Sequence, residues 1–375
     1  MEFFNSDVED ISSLNTTTEL KERLNDGIKY IFSVVTKLQK KSPDDKYEIH
    51  GKLNSDTKYE LAIRAESVVR NDPIKGRVVN KGRIYLSMYI YYTNELDRPT
   101  IYISTVNARG ILLSGNSILD ISKIFGEKIN ASKMWLTDAS GLSSVCSGYD
   151  FSMTYLYILS NGISWYNSKG FVSPYFKEER SHNVTLLTLN IIDFLNAQFN
   201  YKITHMTKKR NQTIEEFEAQ KAIMPTQFYS NLETFFDFFK EYTNRYPFLV
   251  KSGLTLTKDM TVQEFFTRIK LFVFRNLPKK RTSIYQEVCS QLDWVFKVVE
   301  LEFIEEDSDV IQLSLDNPKT ILYCPNLIYN IDEPKIPSLL NIRIKTPSTI
   351  SRRRTSTKTK RRSSKKSKSR RRTIG

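Results

Sequence analysis

The sequence predicts an α+β protein: an N-terminal helix, an antiparallel β-rich region, a helical layer or subdomain, a closing β-hairpin and a disordered basic tail. Three observations carry this. Apolar residues recur at helical spacing over 20–38 and again over 183–304. Between 45 and 110 the pattern is alternating, β-branched and aromatic. The final stretch 351–375 holds 13 Lys and Arg and no Asp or Glu. A folded part of this length exceeds one typical single-core domain. The expected division is 1–182 (N-terminal helix plus β-rich domain), 183–332 (mainly helical domain with the closing hairpin) and 346–375 (tail).

Leu20, Leu24, Ile28, Ile31, Val35 and Leu38 fall on one helical face. Thr16 three residues before Glu19 has capping-box spacing, and Lys37, Lys40 and Lys41 suit the negative end of the helix dipole. Gly27 weakens this helix without stopping it. KYEIHGKL and TKYELAIRAESVV then alternate, and GRIYLSMYIYYTNELDRPTIYISTV is the strongest strand signal in the chain. RNDPIKGRVVNKG reads as a loop, with Arg70, Lys75, Arg77, Lys81 and Arg83 as solvated charge or, in the alternative, a phosphate contact. NSILDISKIFG reads as a short helix ending at Gly126, and KMWLTDAS as a strand leaving into a loop.

From 183 onward the pattern is helical. VTLLTLNIIDFLNAQF, TIEEFEAQKAI, PTQFYSNLETFFDFFKEYTNRY, TVQEFFTRIKLFVFRNL and SIYQEVCSQLDWVFKVVELEF are the successive segments. Pro225 suits a first helical turn, and Asp259 or Thr261 a cap for the segment holding Phe265, Phe266, Ile269 and Phe272. VIQLSL and TILYCP form the expected closing hairpin about Asp316-Asn317-Pro318.

The formal net charge is +14. Taking away the 13 positive charges of 351–375 leaves +1 on residues 1–350. The body is therefore nearly neutral, and any general attraction to polyanions sits in the tail. Cys146, Cys289 and Cys324 are far apart with no CxxC pair, which argues against a zinc ribbon and for buried reduced thiols. The acidic start MEFFNSDVEDISS has no apolar signal region, and no run is long and apolar enough to span a membrane.

Few motifs carry chemistry. No P-loop, GxSxG or HExxH occurs, and His50, His182 and His205 have no metal-ligand spacing. Asp138 and Ser140 follow a strand, where a carboxylate and a hydroxyl serve either catalysis or a turn cap. Gly162 and Gly170 bracket Trp165 and Tyr166 in GISWYNSKGF. WLTDAS followed by YLYILSNGISWYNSKGF resembles a group of uncharacterised giant DNA virus proteins, which share a DxS element ahead of G-x-S-W-Y-N-S-x-G-[FY]. The resemblance spans 135–171, about a tenth of the chain, and extends to the Ser/Arg/Lys-rich end. It implies a viral protein in host cytoplasm or virion, and no assigned activity. The same segment resembles the closing Tyr-x-x-x-Gly-Phe element of GNAT acetyltransferases, which implies Tyr166 as general acid. Gly110 and Gly115 precede a helix, but their pattern departs from an acetyl-CoA loop. No cofactor and no metal is expected.

The tail carries its function in its composition. Arg352, Arg353, Arg354, Lys360, Arg361, Arg362, Lys365, Lys366, Arg370, Arg371 and Arg372 form clusters separated by Ser and Thr. Without apolar periodicity such a segment is expected to be disordered, and its cations bind phosphates without sequence preference. It has no aromatic residue, so electrostatics alone carries that binding. The resulting expectation is a non-enzymatic accessory or virion-associated protein that binds nucleic acid or another polyanion through its tail. The alternatives are an enzyme or small-molecule-binding body centred on Asp138, Ser140, Trp165 and Tyr166, and an interaction protein whose tail is a nuclear-localisation signal.

Overall fold

A computed structural model describes residues 6–41, 45–72, 76–92, 98–107, 114–139, 151–251, 253–276, 283–299, 301–303 and 320–332. The chain divides into two compact units, Met1–Ser338 and Leu339–Gly375. The second unit, and with it the basic tail, lies outside the described residues.

The architecture is α+β. A seven-stranded sheet has the order β1-β2-β3-β4-β5-β6-β9. Its strands are β1 (Ser6–Val8), β2 (Asp45–Ser55), β3 (Lys58–Asp72), β4 (Gly76–Tyr91), β5 (Thr100–Val106), β6 (Lys133–Thr137) and β9 (Asn326–Asn330). Pairing is antiparallel from β2 to β5 and between β6 and β9, and parallel for β1–β2 and β5–β6. A parallel neighbour needs a crossover, and α2 (Gly115–Lys128) supplies it between β5 and β6. The stretch expected as the loop RNDPIKGRVVNKG is mostly ladder. Val68 pairs with Val79 and Val69 with Val78, so β-branched residues in register prevail over the turn formers around them.

One face of the sheet is buried under α1 (Thr18–Lys41) and α2. Leu61, Ile63, Met88, Ile90, Ile101, Ile103, Met134 and Leu136 meet Leu24, Ile28, Ile31, Val35, Leu119 and Phe125 there. The apolar stripe expected on α1 is thus wholly used in packing. Thr17, rather than Thr16, caps α1: its Oγ1 accepts the Leu20 N–H at 3.3 Å. Gly27 and Gly126 are contact glycines. A Cβ at Gly27 would stand 2.6 Å from Ile129 Cγ2, and one at Gly126 2.9 Å from Ile331 Cδ1. Close approach, not chain termination, explains Gly126, and α2 runs past it to Lys128. The opposite face carries Lys58, Tyr89, Tyr91, Tyr102 and Trp135, which belong to neither hydrophobic core.

The second core is helical. It joins α3 (Met153–Asn161), α5 (Ile191–Thr204), α6 (Ile214–Arg245), α7 (Pro247–Lys251), α8 (Val262–Asn276) and α9 (Ser283–Val298) through Leu156, Phe194, Phe235, Leu249, Phe265 and Leu292. Helical structure begins at Met153, ahead of the clear periodicity at 183. VTLLTLNIIDFLNAQF divides between α4 (Phe176–Leu186) and α5, because Asn190 caps α5 by accepting the Ile192 N–H at 2.8 Å. The two segments expected on either side of Pro225 are one helix. A capping box between Thr213 and Glu216 starts α6 upstream, and Phe228, Leu232, Phe235, Phe236 and Phe239 anchor it downstream. The continuous helix accommodates the ladder donor that Pro225 lacks. Thr261, not Asp259, caps α8, with reciprocal bonds of 3.2 Å to Glu264.

In the closing region, β8 (Ile321–Tyr323) falls where a strand was expected. It pairs in parallel with β7 (Leu301–Phe303), while VIQLSL lies outside the described residues. Cys324 is a free buried thiol, as expected, whereas Cys289 is disulfide-bonded, against the expectation. Among the described residues no helix is long and apolar enough to cross a membrane.

Candidate functional site

β6 ends one residue before Asp138, whose N–H donates to the Pro325 carbonyl at 2.8 Å. That bond turns the carboxylate into a buried seam between α3, α4 and β8. Asp138 Oδ2 accepts from Thr154 Oγ1 at 3.2 Å and from the Tyr323 hydroxyl. Ser164 hydrogen-bonds the same phenol. Burial, then the Asp138 charge and its hydrogen bond, push the Tyr323 phenol far above its ordinary range, so it remains a proton donor. The Tyr166 phenol is raised for the same two leading reasons, burial first and the charge of Asp138 second. Two of the residues singled out in the sequence, Asp138 and Tyr166, therefore share one electrostatic neighbourhood. Ser140 lies outside the described residues, as do Cys146 and Asp150.

α4 forms the other wall of the seam. Its face at steps of three and four carries Glu179, His182 and Asn183. Asn183 acts as a surrogate strand on β8: its Nδ2 donates to the Leu322 carbonyl at 2.8 Å and its Oδ1 accepts the Leu322 N–H at 3.0 Å. His182 Nε2 lies 2.7 Å from the Thr320 carbonyl oxygen. Glu179, 2% exposed, accepts from Ser173 Oγ at 2.5 Å and from the Cys324 N–H at 3.2 Å. Burial raises its carboxyl to about 7 against the pull of those two donors. Glu179 was not singled out in the sequence. It sits in FKEERSHN, which reads as a solvated run, and only its spacing from Asn183 hints at a shared face.

Gly162 and Gly170, which bracket SWYNSK, both adopt positive φ, at 78° and 85°. Gly162 closes α3 and Gly170 closes a 3₁₀ turn at Asn167–Lys169. Within the bracket, Asn167 locks the turn by accepting the Ser164 N–H at 2.9 Å and donating to the Phe171 carbonyl at 3.0 Å. Tyr166 is buried with the sheet core, and Trp165 packs over Gly115, where a Cβ would come within 2.9 Å of the indole. The indole thus covers Gly115 where a side chain would otherwise begin. Gly110 lies outside the described residues.

The three histidines stay apart: His50 contacts Glu48, His182 contacts Thr320, and His205 contacts Tyr201. No group of three or more metal-ligating side chains assembles among the described residues. The seam's described donors and acceptors largely satisfy one another and the 320–325 segment. Within it, burial leaves Glu179 able to exchange a proton near neutral pH. Comparison with protein-family models, with curated proteins and with solved structures finds no match to this chain.

Proposed function

We propose that the protein is a non-enzymatic, virus-encoded accessory or virion-associated protein that engages nucleic acid, or an equivalent polyanion, through its basic C-terminal arm. One observation carries the reading: 13 of the 14 net positive charges lie in 351–375, with ten Ser and Thr and no acidic residue among them. Such a segment releases counterions from phosphates and binds in a salt-dependent, sequence-independent way. The binding residues are Arg352–Arg354, Lys360–Arg362, Lys365, Lys366 and Arg370–Arg372. The viral reading is supported by the 135–171 resemblance, which implies host cytoplasm or virion. The same clusters would serve nuclear import.

The test is a salt series on the full chain and on a full-length variant with those eleven residues changed to Gln. For six or more phosphate contacts the native chain loses about 10³-fold in affinity between 50 and 200 mM salt. The variant should bind far more weakly and with a shallow slope. Equal affinity and slope in both would overturn the reading.

A small-molecule-binding or weakly acetyltransferase-like body is the second reading. The shared neighbourhood of Asp138 and Tyr166, with Glu179 titrating near neutral, is the observation in its favour. Calorimetry with acetyl-CoA tests it: heat that disappears in Tyr166→Phe supports it, and no heat removes it.

A further inference from the structure

The outer face of the sheet brings together aromatic rings from three strands. Register assembles them: Tyr89 pairs with Tyr102, and Tyr102 with Trp135. Tyr91, two residues along β4, points the same way. Ring centroids are 6.3 Å apart for Tyr89–Tyr102, 4.2 Å for Tyr102–Trp135 and 6.4 Å for Tyr91–Trp135, with planes inclined by 11°, 32° and 26°. The four side chains are half-buried and belong to neither hydrophobic core. Their hydroxyls and the indole N–H make no hydrogen bond among the described residues.

Cations border the row. Lys58 Nζ stands 4.1 Å from the Tyr89 centroid and 5.3 Å from that of Tyr91. Lys133 is exposed on the same side of β6, and neither lysine pairs with a carboxylate among the described residues.

A cross-strand aromatic pair stabilises a sheet modestly. Four half-buried rings beside ammonium groups that no carboxylate pairs among the described residues offer more: a π surface with positive charge at its margin. That combination fits unpaired nucleobases, whose flat faces stack on aromatic side chains regardless of sequence while cations track the backbone. A duplex, with its bases already stacked on one another, has no free base face to offer this surface. We propose that this face binds the bases of single-stranded nucleic acid. The proposal rests on the nucleic-acid reading above and adds what the tail lacks, since 351–375 contains no aromatic residue.

The chain has three tryptophans, Trp135, Trp165 and Trp294. A full-length W165F/W294F variant leaves Trp135 as the sole indole reporter. Oligothymidylate of about twelve nucleotides, within the usual site sizes for such surfaces, should quench it, whereas inorganic polyphosphate should not. In the native background, Y102L/W135L should weaken oligothymidylate binding roughly 5- to 100-fold, as expected for losing one stacked base, and leave polyphosphate affinity unchanged. Circular dichroism checks its fold, and the milder Lys58→Gln should lower the salt slope by about 1.

Trp135 fluorescence insensitive to oligothymidylate, or equal loss of both ligands in Y102L/W135L, overturns the proposal. So does quenching by a neutral oligosaccharide in place of the oligonucleotide. The tail variant separates the two readings. If it abolishes binding while Y102L/W135L has no effect, the arm alone binds and this face does not. If it binds as the native chain does while Y102L/W135L is impaired, the face stands and the arm does not.

Discussion

The α4–β8 seam and the outer face of the sheet are both built from polar and aromatic side chains, and they use them in opposite ways. In the seam, Asn183, Glu179, Tyr323 and Thr154 turn inward and satisfy Leu322, Cys324 and Asp138. On the outer face, Tyr89, Tyr91, Tyr102 and Trp135 contact one another and Lys58, with their hydrogen-bonding groups open among the described residues. The contrast teaches where to look for function. A buried, mutually satisfied cluster holds its elements together with its polar groups. A half-buried row with open donors resembles surface and is the place where a ligand gains something.

Substitutions at the hydrogen-bonding residues of the seam should therefore change stability. The largest effect is expected at Asn183. Asn183→Ala orphans the N–H and the carbonyl of Leu322, both against a side chain that is 2% exposed. At about 1–3 kcal/mol per unsatisfied group, the loss is about 2–6 kcal/mol in denaturant melts. A loss below 1 kcal/mol would show that the seam is not a joint.

Glu179 comes next, and its sign is fixed by the direction of its shift. Its carboxyl ionises at about 7 in the folded chain, against an ordinary 4.5. The folded state thus holds the proton more tightly than the unfolded state. Its contribution to stability is full below about 4.5, declines as the pH rises through about 7, and is absent above. The span is roughly 3 kcal/mol at 1.36 kcal/mol per pH unit. Glu179→Gln should flatten the profile between pH 4.5 and 7.5, and an unchanged profile would place the titration elsewhere.

Tyr323→Phe follows, at about 1–3 kcal/mol. It removes one of the hydroxyl donors to Asp138 Oδ2 and leaves a buried carboxylate less satisfied. Thermal melts of Tyr323→Phe and Thr154→Val, singly and together, measure the coupling, which should be clearly non-additive because both act on one oxygen.

Much of the fold was legible because local patterns and tertiary structure agree. α1 buries five of the six apolar residues that its period marks and packs the sixth, Leu20, partly buried against the same core, and the aromatic β-branched run of β4 and β5 lies in the sheet. Legibility failed where the partner of a residue decides its state. α4 looks solvated because its inward face is polar, and only Leu322 and Cys324, over a hundred residues away in sequence, explain it. Pro225 looked like a helix start, yet the capping box at Thr213 and the phenylalanines beyond carry one helix through it. The site was half visible. Asp138 and Tyr166 were marked by their local motif, whereas the aromatic row required the strand register, which no single strand contains.

The smallest expected effect is the sharpest check on the comparison, because it uses two adjacent residues of one strand. Met88 is fully buried against α1 and α2, and Tyr89 is half-buried on the opposite side of the same strand. Met88→Ala leaves a cavity in a packed core and should cost about 2–5 kcal/mol. Tyr89→Ala loses a cross-strand contact with Tyr102 and the Lys58 ammonium above its ring, together about 1 kcal/mol or less. If Tyr89→Ala destabilises as much as Met88→Ala, the outer aromatics are a second core under a covering layer, and the reason for assigning them to a ligand disappears. If the difference holds, the row exceeds what the sheet needs for its own stability, and its rings are left to the ligand proposed to stack on them.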